Sequence, residues 1–142
     1  GLSEHRLGYG LRHRPRNEYQ LVTKVGRILE RPFDPATFKS EMWLGGLPFP
    51  HRYDYTYDGI MRSYEQSMMR LGLNTIDALV IHDLDAAYQG PDFGYRKKDL
   101  VYSGIKALEE LKRRGEIKAI GMGIMLLGSG SRRLKLSMMW SA

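Results

Sequence analysis

Residues 75–85 read TIDALVIHDLD. From Ile76 to Ile81 the run is apolar except for Asp77, too short for a helix and rich in branched side chains, which predicts a strand buried on both faces. His82 stands at its far end. Helical patterns precede and follow it, so the stretch is the middle strand of a βαβαβ unit in an α/β fold with a parallel sheet. Such folds place ligands and chemistry at the carboxyl ends of their strands. His82 is therefore the first candidate functional residue.

Working outward, Ile60, Tyr64, Met68 and Leu71, reinforced by Met61, repeat at helical spacing before the strand, and Gly72 supplies a stop. After it a polar loop is expected through Gly90, Pro91 and Gly94. Asp99 is then placed to cap a helix with the stripe Val101, Ile105, Leu108 and Leu111, and Glu109–Arg113 and Glu110–Arg114 are charge pairs on its outer face. Gly115 ends that helix, and Ile117–Met122 reads as a third strand. At the start of the chain, Ser3 and Glu4 read as an N-cap and a first-turn acid. The helix they open carries Leu7 and Leu11 and is weakened by Gly8 and Gly10. Glu18 to Lys24 suits a strand that ends in Lys24. Residues 25–56 contain Pro32, Pro35, Pro48, Pro50 and Gly45-Gly46, a connection long enough to be functional or irregular.

Composition narrows the class. The 142 residues are 42% hydrophobic, enough for one domain with a core, and no run is long enough to span a membrane or form a secretory leader. The expectation is a soluble, cytoplasmic chain. With no cysteine, disulfides and thiolate metal sites are excluded. Net charge is +6, but half of it comes from Arg132, Arg133 and Lys135 in the last twenty residues, which hold no acid. No basic stripe with interleaved aromatics is present, so neither nucleic acid nor membrane is expected as a partner.

Four segments carry a resemblance: LSEHRLG, LVTKVGRIL, YDYTYDGIMRSYEQSMMRLGLNTIDALVIHDLD and ALEELKRRGEIKAIGMGI. Together they resemble the aldo-keto reductase superfamily, and within it the bacterial aldose and pyridoxal dehydrogenases. The resemblance covers residues 1–124 and implies a partial TIM (β/α)8 barrel, from about the second helix to the fifth strand of an eight-stranded whole. It implies NAD or NADP as cofactor and a small sugar or pyridoxal-like molecule as substrate. The family's catalytic tetrad is Asp, Tyr, Lys and His. Lys24 matches the lysine and His82 the histidine, while the Asp and Tyr belong to a stretch before Gly1. Where relatives carry an asparagine against the nicotinamide carboxamide, this sequence has Met125. Residues 125–142 lack the family pattern and are expected to form an irregular tail, and the cofactor-holding positions stay unassigned.

The family chemistry explains the residue types. A tyrosine takes the hydroxyl proton as hydride leaves, and because a free phenol with a pKa near 10 is a poor base at neutral pH, a nearby lysine cation is needed to stabilise the phenolate. A neutral histidine orients the reacting oxygen. On the residues alone, a strand-end lysine is as readily a solvated terminus and a strand-end histidine a structural one. His82-Asp83-Leu84-Asp85 offers an imidazole and two carboxylates, but without a second histidine at ligand spacing no metal is expected. Gly121 and Gly123 permit either a cofactor's approach or close strand packing. Trp43, Phe49 and Tyr53 are either stacking surfaces for a ring substrate or disordered. The alternative to a reductase segment is a non-catalytic remnant that associates through open sheet edges.

Overall fold

The computed structural model describes residues 1–40 and 45–123; Trp43, Met125 and the expected tail 125–142 lie outside the described residues. A helix α1 (Leu2–Leu11) leads to strand β1 (Val22–Val25), then a short antiparallel pair, β2 (Arg27–Leu29) and β3 (His51–Tyr53). Helix α2 (Tyr57–Leu71), strand β4 (Ala78–His82), helices α3 (Ala86–Gln89), α4 (Phe93–Asp99) and α5 (Ile105–Arg113), and strand β5 (Ala119–Gly123) follow. The main sheet has the order β1-β4-β5, both pairings parallel. Strands in sequence order without a reversal are an arc of a (β/α) barrel, not a doubly wound sheet.

Register divides the sheet into two faces. Val25, Leu79 and Ile81 lie in one row and join Ile60, Tyr64, Leu108 and Leu111 of α2 and α5 in a single core. The other row, Lys24, Val80, His82, Gly121 and Gly123, is the side that a closed barrel turns inward. Every residue of β4 before His82 is buried, as expected of a strand covered on both sides.

Helix α2 follows its sequence signals closely. Thr56 caps it by accepting from the Gly59 amide, and Gly72 closes it in the left-handed conformation at φ 62°. Its buried face also takes in Gly59, Ser63 and Ser67, which an apolar count passes over.

Elsewhere the local expectations need correction. Gly1, not Ser3, occupies the N-cap of α1, while Glu4 does sit in the first turn. Gly8 is the contact point of that helix and no weakness, because a Cβ there would lie 1.8 Å from the Leu71 carbonyl oxygen. The first strand starts at Val22, and Glu18 instead ends a 3₁₀ turn (Arg16–Glu18). The connection 25–56 holds the β2–β3 pair, with Gln66 of α2 donating to the Leu29 carbonyl and accepting from its amide, both at 2.9 Å.

The polar loop after His82 is largely helical, and Asp99 lies inside the helical run, not at its cap. A π turn at Leu100–Gly104 joins α4 to α5 and sets the phase. The buried positions are Leu100, Gly104, Ala107, Leu108 and Leu111, whereas Val101 and Ile105 are 49% and 38% exposed. Gly104 is required there, since a Cβ would stand 2.1 Å from the Tyr55 carbonyl oxygen. The Glu110–Arg114 pair forms at 3.3 Å.

Asp77 is no mere interruption of its strand. Its carboxylate accepts from the Leu21 amide at 2.8 Å and from Lys118 at 2.9 Å, and it pairs with Arg16, tying together the entries to all three strands. Burial opposes its charge, but the hydrogen bonds from Lys118, Leu21 and Arg16 outweigh burial and hold it at about 2.

Candidate active site

Lys24 pairs in register with Val80, and His82 is two residues further along the same strand. Because strand side chains alternate, Lys24 and His82 share the inward face at the carboxyl ends of neighbouring strands. The two positions singled out from sequence line one cleft of about 340 Å³, along with Thr23, Arg27, Glu4 and Arg70. A larger and more open groove of about 450 Å³ lies between α1, α2 and the β2–β3 pair, lined by Leu47, Phe49 and Met69 but by neither Lys24 nor His82. That groove is also lined by His5, Glu30 and Glu65, but only the smaller cleft brings Lys24 and His82 together.

His82 is poised as a neutral group. Burial lowers its pKa most, and the charges of Arg27 and Lys24 act in the same direction, leaving it at about 3. Its Nε2 stands 3.3 Å from Asp83 Oδ2, which is therefore a contact of a neutral imidazole and not an ion pair. Tyr53 approaches the imidazole edge-on with ring centres 6.3 Å apart, stacks on Tyr55 at 6.0 Å, and points its hydroxyl at Asp83 Oδ2, 3.4 Å away. Burial first, and then the Asp83 charge, raise the Tyr53 pKa, so this phenol is a hydrogen-bond donor and not a ready base.

Of the three loop aromatics, Tyr53 alone is brought to His82 within the described residues; Phe49 lines the other groove. Asp85 caps α3 by accepting from the Tyr88 amide at 2.9 Å. Among the described residues no group of three or more His, Asp or Glu is arranged to hold a metal ion, and no helix is long and apolar enough to cross a membrane.

Gly121 and Gly123 of β5 lie on the same sheet face as Lys24 and His82, in register with Val80 and His82. A Cβ at Gly123 would sit 3.1 Å from Val80 Cγ1 and 3.8 Å from Lys24 Cε, so the missing side chain leaves space next to Lys24.

Sequence reading missed three residues of this region: Tyr55, Gln89 and Arg96. The Tyr55 hydroxyl donates to the His82 carbonyl at 2.6 Å, and Gln89, although polar, is only 4% exposed. The one available signal was the placement of Tyr55 directly before the Thr56 cap. Gln89 and Arg96 have no local signature, because long-range packing creates their roles.

Known proteins resemble this chain in sequence and in fold. The chain is 37% identical over 133 residues to a pyridoxal 4-dehydrogenase of Microbacterium luteolum, covering 87% of this chain and 39% of that protein. It is 36% identical over 143 aligned positions to a D-threo-aldose 1-dehydrogenase of a Pseudomonas species, covering 95% of this chain and 40% of that one. It thus spans about two-fifths of the length of these relatives. Among solved structures, an aldo-keto reductase from Bacillus halodurans in its holo form superposes with a TM-score of 0.55 at 26% identity, covering 85% of this chain and 32% of that one. The structural neighbours are barrels of this type, and the arc β1-β4-β5 is a part of one. The profile of the Aldo/keto reductase family matches residues 1–125, well over half of the sequence, and on that match the chain belongs to the aldo/keto reductase family.

Proposed function

We propose that this chain carries the lysine and histidine half of a nicotinamide-dependent reductase site, which in the whole enzyme oxidises an aldose or a pyridoxal-like alcohol. The observation that carries the reading is the shared cleft: Lys24 and His82 on one face of adjacent parallel strands, with His82 neutral. The substrate class is suggested by the two dehydrogenases at 36% and 37% identity. A bound nicotinamide would supply the hydride acceptor, and the absence of a side chain at Gly123 leaves space next to Lys24.

In this reading His82 donates a hydrogen bond to the substrate oxygen and fixes it in the cleft, displacing the contact to Asp83. The ammonium of Lys24 stabilises the phenolate of the family's tyrosine, which takes the hydroxyl proton while the C–H bond breaks and its electron pair leaves as hydride. Burial first, and then the charges of Arg27 and Lys24, keep the imidazole neutral near pH 7, so it orients the substrate without carrying charge.

The test compares the complete enzyme with Lys24→Met and His82→Gln variants, following reduced nicotinamide by absorbance with L-fucose and pyridoxal. Each variant is expected to lose on the order of 10² to 10⁴ in kcat while nucleotide binding persists. The 142-residue chain by itself is expected to show no turnover, because Lys24 assists a tyrosine outside its sequence. Wild-type rates in both variants would overturn the site; turnover by the short chain would overturn the division of the site between segments.

A further inference from the structure

The turn that carries His82 is held in a form the chain does not adopt unaided. Asp83 has φ 48°, the one positive value at a non-glycine among the described residues, and such a conformation persists only where the surroundings hold it. What holds it is a set of hydrogen bonds from the interior. The Tyr55 hydroxyl donates to the His82 carbonyl at 2.6 Å and accepts from Gln89 Nε2 at 3.0 Å. The same Gln89 amide donates to the Asp83 carbonyl at 2.7 Å. Arg96 donates to Gln89 Oε1 and is itself paired with Asp92 at 3.0 Å, which fixes which way the amide faces.

Tyr55 is built into this position from both sides. It is 0% exposed. Gly26, at φ 95°, admits its ring, since a Cβ there would meet ring carbons at 2.6 Å, and Gly104 of the π turn packs against its carbonyl. Neither the phenol nor the amide faces the cleft, and the roles assigned to Lys24 and His82 use neither. Two consecutive carbonyls at a strand end are nevertheless gripped by these two side chains.

We propose that Tyr55 and Gln89 are positioning residues for the site: by holding the carbonyls of His82 and Asp83 they keep the turn left-handed and aim the imidazole into the cleft beside Lys24. Without the grip, Asp83 relaxes to a right-handed backbone and the imidazole turns toward water. The inference rests on reading His82 as the site histidine, but its test needs no turnover.

The experiment is a histidine-selective ¹⁵N NMR titration of the 142-residue chain, with His82 assigned through His82→Gln. The groups facing that imidazole are Arg27, Lys24, His51, the N-terminal amine of Gly1, Asp83 and Tyr53, and none of them is substituted in the variants. In the wild type His82 titrates well below an ordinary histidine. Tyr55→Phe, which keeps the ring and removes the grip, is expected to raise the His82 pKa by about one unit or more toward the free value near 6.5. Gln89→Met is expected to raise it less, because the phenol still holds one carbonyl. Tyr57→Phe is the control, since its hydroxyl serves Glu110 at 2.7 Å, away from the turn, and it leaves the titration unchanged whatever it does to stability. An unshifted His82 in both Tyr55→Phe and Gln89→Met, or an equal shift in Tyr57→Phe, overturns the proposal. If Tyr55→Phe does not fold, Gln89→Met decides by the same criterion. In the complete enzyme Tyr55→Phe should lower kcat and leave the nucleotide KM unchanged; an inactive wild type with a shifted His82 would refute the enzymatic reading and leave the positioning one standing.

Discussion

Arg70 of α2 donates through Nε to the Glu4 carboxylate of α1 at 2.5 Å, and the same carboxylate accepts from Thr23 Oγ1 at 2.7 Å. One acid therefore joins two helices to the strand residue that precedes Lys24. Burial opposes its charge, but the bonds from Arg70 and Thr23 prevail and leave its pKa lowered. Glu4→Gln keeps the shape and removes the charge, and should cost about 1 to 3 kcal/mol in urea unfolding at pH 7. A midpoint equal to wild type would show that the carboxylate contributes nothing.

Stability should fall in two steps on acidification. The His82 pKa is about 3 in the folded chain against an ordinary 6.5, so the unfolded state binds the proton first and stability declines as pH drops from 6.5 toward 3. Asp77 is depressed from 3.8 to about 2, so its contribution, on the order of 2 kcal/mol, is present above pH 4 and lost below. Thermal melts across this range should be flatter between pH 6.5 and 4 for His82→Gln, and flatter between pH 4 and 2 for Asp77→Asn. Curves that stay parallel to wild type would contradict these assignments.

Gly26→Ala tests the seat of Tyr55. The φ of 95° and the 2.6 Å approach to the Tyr55 ring penalise a side chain twice, through backbone strain and through overpacking. A loss of about 2 to 4 kcal/mol is expected by chemical denaturation. A change below 1 kcal/mol would mean that the ring has room to move.

The described sheet has β1 and β5 as its outer strands, and Val22 on β1 is 48% exposed. Unpaired edges beside apolar surface favour pairing between copies. Sedimentation velocity of the 142-residue chain at tens of micromolar should therefore show self-association; a single monomeric boundary across that range would count against open edges.

The sequence made α2 legible because two independent signals coincide there, the apolar period and the stop Gly72, while the cap Thr56 went unread. Lys24 and His82 were singled out through strand ends and family resemblance, and both line one cleft. The phase of α5 was not legible, for a physical reason. A π turn shifts the helix face, and the position pressed against Tyr55 must be Gly104, so close approach selects the smallest residue while the larger Val101 and Ile105 turn outward. The role of Asp77 was not legible either, since its partners Arg16, Leu21 and Lys118 lie far off in sequence. Tyr55 and Gln89 serve the site through backbone carbonyls, and no residue-type pattern encodes that.

The pairing of Leu29 with His51 closes residues 30–50 into an excursion whose two ends are fastened next to each other. Because loop-closure entropy grows only with the logarithm of length, doubling such an excursion costs only about 0.6 kcal/mol. Insertions, deletions or a grafted element between 30 and 50 are therefore expected to leave Gly26, Tyr53 and Tyr55 in place. The β2–β3 clasp divides the chain into a portion free to diversify and a portion fixed by chemistry.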